Sequence, residues 1–90
     1  MSNGIEHPGA IIRKKVLPKA GTTIELAKML GINRVNLSRL LNGKASLSTR
    51  VAFALESNGC GSARRWLLLQ LEYDLATEKL SVRMKDALRR

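Results

Sequence analysis

The sequence predicts an all-α fold: one domain of five helices over residues 1–76, then a basic tail over 77–90 with room for an extra C-terminal helix. Three observations predict it. Apolar residues recur at helical spacing, and no stretch alternates apolar with polar for long enough to suggest a strand. Residues that cap helices stand ahead of most of the apolar runs. Two of those runs are joined by Gly31-Ile32-Asn33 alone, a link so short that it forces a steep crossing and hence a helix-turn-helix.

The elements can be justified in order. Pro8 suits the first turn of a helix, where its missing N–H costs nothing, and His7 is placed to help cap that helix. This first helix carries Ile11, Ile12 and Val16 and is expected to stop before Pro18. The second starts at Thr22, with Glu25 three residues on completing a capping box. Leu26, Ala27 and Leu30 form its apolar face, and Gly31 supplies the left-handed residue that ends it. Ile32 then packs inward. The third helix is capped by Asn33, buries Leu37, Leu40 and Leu41, and ends at Asn42-Gly43. The fourth, capped by Ser48, runs to about Ser57 and buries Val51, Ala52 and Leu55. Residues 57–61 read as a loop, and Ser62 caps a fifth helix through at least Leu75. In the tail, Leu80, Met84 and Leu88 keep a weak helical pattern, and its basic residues read as a solvated face or frayed end.

Charge narrows the partners. The 90 residues hold 16 Lys+Arg against 7 Asp+Glu, a formal charge of +9. A field this positive favours a polyanion: nucleic acid, an anionic membrane or an acidic protein. It is uneven, with net +4 over residues 22–50 and −1 over residues 51–76. Met1–Ala10 lacks the apolar core of a secretion signal. The longest apolar run, Trp66–Leu69, is far short of the roughly 20 residues of a membrane span. A soluble, cytoplasmic protein with no membrane partner is expected. The single Cys60 excludes an intramolecular disulfide and reads as a small turn residue. His7, alone, makes no metal site. Without a Gly-rich phosphate loop, paired catalytic carboxylates or a nucleophile-base set, neither an enzyme nor a cofactor is expected.

The helix-turn-helix carries the functional signal. Ala27 is small where the two helices meet, and a larger residue there would push them apart. The outer face of the third helix is Arg34, Val35, Ser38 and Arg39, with Asn36 nearby, and no acid lies between Asn33 and Ser48. Arg offers a bidentate fork for guanine and Asn a pair for adenine, and such a helix puts its N-terminal part in the major groove. Arg34, Val35, Asn36 and Arg39 are therefore candidate base readers of double-stranded DNA, Val35 through a thymine methyl. Thr23, Ser38, Asn42 and Lys44 are candidate phosphate contacts. Asn33 reads more as a cap than as a reader.

The fifth helix is apolar around most of its circumference, which asks for burial on more than one side. It is either a central core helix or one with a second face in a two-fold contact. The second reading is favoured, with Trp66, Leu67, Gln70, Leu71 and Tyr73 as candidate dimer residues, because a 90-residue monomer has little to cover the second side. It also suits function, since two recognition helices about one DNA turn apart read a palindrome.

The segment Thr22 to Lys44 resembles the Xre/Cro-type helix-turn-helix of phage repressors, a lambda-repressor-like fold. More narrowly, three motifs in order resemble the HigA-type antitoxins of bacterial toxin–antitoxin modules: His7-Pro8-Gly9, Leu37-Ser38-Arg39-Leu40-Leu41-Asn42-Gly43-Lys44, and the pattern of Trp66, Leu67, Leu69, Gln70, Tyr73, Asp74 and Leu75. The resemblance covers about Glu6 to Ala76. It implies a five-helix domain that dimerises through its C-terminal half, represses its own promoter at a palindromic operator, and neutralises a HigB-type ribonuclease toxin. It carries recognition-helix roles onto Arg34, Val35, Asn36 and Arg39, and a phosphate-holding role onto Thr23, where many relatives have Gln. Because that toxin is basic, its contact is expected on less basic surface, around Glu6, Glu72, Asp74 and Glu78. Three other readings compete: a stand-alone regulator without a toxin, a helical protein-interaction module, and an RNA binder, the last disfavoured by the scarcity of aromatics for base stacking.

Overall fold

A computed structural model of the chain describes the backbone of residues 6–89 and the side chains of residues 6–78. Every regular element among the described residues is helical. The first, α1, is one rod over residues 8–20, made of α-helix Pro8–Ile11, a π-helical stretch Ile12–Val16, and α-helix Leu17–Ala20. Then come α2 (Thr23–Leu30), α3 (Arg34–Leu41), α4 (Thr49–Ser57) and α5 (Ala63–Arg89).

The first helix departs from expectation, because it does not stop before Pro18. Inside an α-helix, proline lacks a donor and its ring strikes the carbonyl four residues back. Here the preceding turn widens: the Leu17 N–H donates to the Ile12 carbonyl, five residues back. This π-turn gives the ring room and lets the rod continue to Ala20. Gly21, at φ 95°, ends it.

The other boundaries follow local chemistry. Thr22 Oγ1 accepts from the Glu25 N–H at 3.1 Å, Asn33 Oδ1 from the Asn36 N–H at 2.8 Å, and Ser48 Oγ from the Val51 N–H at 3.2 Å. Only half of the expected capping box forms, since the Glu25 carboxylate turns to Lys28 Nζ, 3.9 Å away. Gly31 sits at φ 68°, ψ 32°, and the Ile32 N–H closes back on the Ala27 carbonyl at 3.1 Å, the glycine-terminated helix end expected there.

One core gathers Ile12 and Val16 of α1, Leu26, Ala27 and Leu30 of α2, Leu37, Leu40 and Leu41 of α3, Val51, Ala52 and Leu55 of α4, and Ala63 and Trp66 of α5. The residues predicted as buried faces of α2, α3 and α4 are buried. α5 is 27 residues long, about 40 Å at 1.5 Å per residue, and it accounts for the 50 × 26 × 24 Å extents. It continues through the tail as one helix. The side chains of Leu80, Met84 and Leu88 lie outside the described residues.

α5 is docked by polar contacts as well as packing. The Trp66 Nε1–H donates to the Cys60 carbonyl at 2.9 Å, and Glu56 Oε1 accepts from the Ala63 N–H at 2.7 Å. Gln70, buried, accepts from the Leu47 N–H at 2.7 Å through Oε1 and donates to Asp74 through Nε2 at 2.8 Å. Trp66 and Gln70 therefore face the chain's own core, and Tyr73 is half-buried against His7. Leu67 packs partly against the core. Of the five residues expected at a dimer contact, Leu71 alone is exposed, and the outward apolar stripe is Leu68, Leu71 and Leu75.

The N-terminal end of α1 is fixed tightly against α3. Gly9 lies so close that a Cβ there would stand 1.8 Å from the Leu40 carbonyl oxygen. His7 caps α1 as expected, its Nδ1 accepting from the Gly9 N–H at 2.9 Å. Its ring meets Tyr73 edge to face, centroids 4.8 Å apart, and borders Gly43 in the turn after α3. Burial pushes the imidazole below its ordinary value of 6.5, against opposing pulls from the Asp74 carboxylate and the backbone of Ala45.

Candidate nucleic-acid interface

The candidate recognition surface is built by α2 and α3. Ala27 is buried where α2 meets α3, and the turn through Gly31 and Ile32 sends α3 across it. With Leu37, Leu40 and Leu41 held in the core, helical geometry turns Val35, Ser38, Arg39 and Asn42 to the opposite side. All four are exposed, Val35 to 70%. Arg34 and Asn36, also exposed, flank this ridge.

The candidate residues divide by position. Arg34, Val35 and Asn36 stand in the first turn of α3, the end that helices of this motif place in a groove. Arg39 stands one turn later, its Nη2–H donating to the Lys44 carbonyl at 3.2 Å, which lays the guanidinium over the C-terminal end of the helix. The Asn33 side chain is occupied by its cap bond. Thr23, the first residue of α2, is exposed beside α3. Lys44 follows the turn at Gly43 (φ 73°) with its side chain free among the described contacts.

A cleft of about 550 Å³ opens between α1, the start of α2 and α3, and Thr23, Arg34, Val35 and Ser38 line it. So does Arg13, a residue that sequence reasoning missed. Arg13 Nη2 donates to Asn42 Oδ1 at 2.8 Å, bringing a cation of α1 onto the end of the recognition ridge. Asn42 Nδ2 in turn points at Ser38 Oγ, 3.4 Å away. The contact spans 29 positions of sequence, so no local pattern announces it. Among the described residues no acid lines this cleft, and no cluster of His, Cys, Asp or Glu could hold a metal.

The family model described as helix-turn-helix matches residues 12–58, more than half of the chain. The chain belongs to the helix-turn-helix family. It is of the Xre type expected from its motifs, and the helix-turn-helix regulators and antitoxins of this family are not enzymes. A curated relative, virulence-associated protein A' of Dichelobacter nodosus, is 35% identical over 71 residues. The match covers 78% of this chain and 62% of the relative, so the chain spans about three-fifths of that relative's length. A putative antidote protein of a plasmid maintenance system from Nostoc punctiforme superposes with TM-score 0.83 at 26% identity, over 92% of this chain and 91% of that one. The Pseudomonas aeruginosa antitoxin HigA, solved with higBA promoter, gives TM-score 0.80 at 26% identity over 91% and 90%. The helix-turn-helix expectation and the all-helical fold thus meet in one family, and the solved structures that this chain resembles include antitoxins and antidote proteins. No described helix is long and apolar enough to cross a membrane.

Proposed function

We propose that the chain is a sequence-specific DNA-binding repressor and the antitoxin of a HigA-type module, holding a palindromic operator in its own promoter as a homodimer. The observation that carries this reading is the ridge of α3: exposed Val35, Ser38, Arg39 and Asn42, flanked by Arg34 and Asn36, with no acid between Asn33 and Ser48. Arg34, Val35, Asn36 and Arg39 read base edges. Thr23, Ser38, Asn42, Lys44 and Arg13 hold phosphates on either side, fixing the register of the helix in the groove. Asn33 acts as a cap. The likeness to an antitoxin solved with its promoter supports the same docking.

The dimer is assigned to the free side of α5, where Leu68, Leu71 and Leu75 recur at the spacing of a helix–helix seam. A HigB-type toxin is the second partner, and Glu72 and Glu78, both exposed, are the acids left open to it. A cytoplasmic location accords with both partners.

The decisive experiment is a gel shift of the chain's own promoter region against random duplex across a salt series. A specific complex protecting two half-sites about one helical turn apart is expected. Equal, salt-sensitive binding to both duplexes overturns the repressor reading and leaves a basic helical domain. Co-purification with the product of an adjacent toxin-sized reading frame then separates an antitoxin from a stand-alone regulator.

A further inference from the structure

We infer that a second cleft, between α1 and the start of α5, binds a small amphipathic anion: an apolar body carrying one carboxylate or phosphate head. The cleft measures about 400 Å³, within the range of small-molecule sites. Ile11 and Val16 from α1 and Trp66 and Leu69 from α5 make its apolar wall. Its rim is cationic, with Lys15 and Lys19 from α1 and Arg65 from α5.

Three features point to this ligand class. No acid lines the cleft, and none of the three cations makes an ion pair or a side-chain hydrogen bond among the described residues, whereas Lys14 and Lys28 each lie near a carboxylate. Gly59 and Gly61 form part of the lining and contribute no side chain to block it. An apolar pocket with a few convergent charges is the usual build of a site that holds a small ligand by its body and orients it by its head. DNA does not account for it, since phosphate contacts use no apolar wall and none of the lining belongs to α2 or α3. The volume also suits a single short chain better than a folded partner's surface.

The chain carries its own reporters, because Trp66 and Cys60, its one tryptophan and one cysteine, both line the cleft. The test titrates the full chain with decanoate below its micelle concentration, following tryptophan fluorescence and the rate of Cys60 alkylation by iodoacetamide. A saturable fluorescence change with protection of Cys60 is expected, with decanol weaker by about tenfold or more because it lacks the charge. The triple variant Lys15→Ala, Lys19→Ala, Arg65→Ala should weaken decanoate by a similar factor with an unchanged circular dichroism spectrum, since all three side chains are exposed. Equal binding of decanol and decanoate, full affinity in the triple variant, or no saturable change overturns the assignment. So does binding of an acidic, apolar hexapeptide where decanoate fails, which makes the cleft a peptide site. The inference stands apart from the DNA-binding reading, and the promoter experiment does not bear on it.

Discussion

At the scale of single residues, the candidate interface and the packing behind it make separable predictions. Arg34→Ala or Arg39→Ala should cost about 1–3 kcal/mol of operator affinity and relax specificity at one base pair, measured by gel shift against single-base operator variants. Equal loss on random DNA would remove that arginine from base reading. Lys44→Ala should weaken all duplexes alike and lower the salt slope by about one. His7 gives a pH prediction. Its folded-state value lies below 6.5, so the fold prefers the neutral ring. The native state then binds fewer protons than the unfolded chain, and stability is full above pH 6.5 and falls as the pH drops through the folded value. Urea midpoints from pH 8 to pH 5 should show this decline, and His7→Gln should flatten it. The exposure of Arg34, Val35, Asn36 and Arg39 was legible in the sequence, because an acid-free outer face is a one-dimensional pattern. Arg13 was not, because its value comes from Asn42, 29 positions away.

At the scale of elements, what was legible was what is local. Thr22, Asn33 and Ser48 announce their helices because a cap acts within three residues. Gly31 announces the turn because the left-handed region favours glycine. Pro18 misled, since its usual effect is to end a helix, and nothing local in the sequence announces the π-turn that precedes it. The faces of α5 were misassigned for a related reason. Periodicity says that the helix is apolar on two sides but not which side the bundle takes, and Trp66 and Gln70 were taken inward. Close approach between α1 and α3 was equally hidden in the sequence. Gly9→Ala should force the two apart and destabilise the fold by about 1–3 kcal/mol, an overpacking cost readable in thermal or urea unfolding. Ala27→Leu should separate α2 from α3 and abolish specific binding. Normal operator affinity in that variant would sink the helix-turn-helix assignment.

At the scale of the whole molecule, a 90-residue chain has a modest core, and α5 reaches beyond it with an apolar stripe uncovered. If the stripe is the dimer seam, Leu71→Asp should give a folded monomer by sedimentation. Its operator affinity should fall on the order of a hundredfold, because two half-sites then bind independently rather than as one linked unit. A dimer that survives the substitution would move the seam elsewhere. The anchoring of α1 has a practical corollary for anyone handling the protein. With His7 against Gly43, α1 begins beside the C-terminal end of α3. An acidic affinity tag added at that end of the chain would bring negative charge toward Lys44 and compete with phosphate for it. Weak DNA binding by an amino-terminally tagged preparation would then report on the tag, and the wild-type affinity should return when the tag is cleaved away.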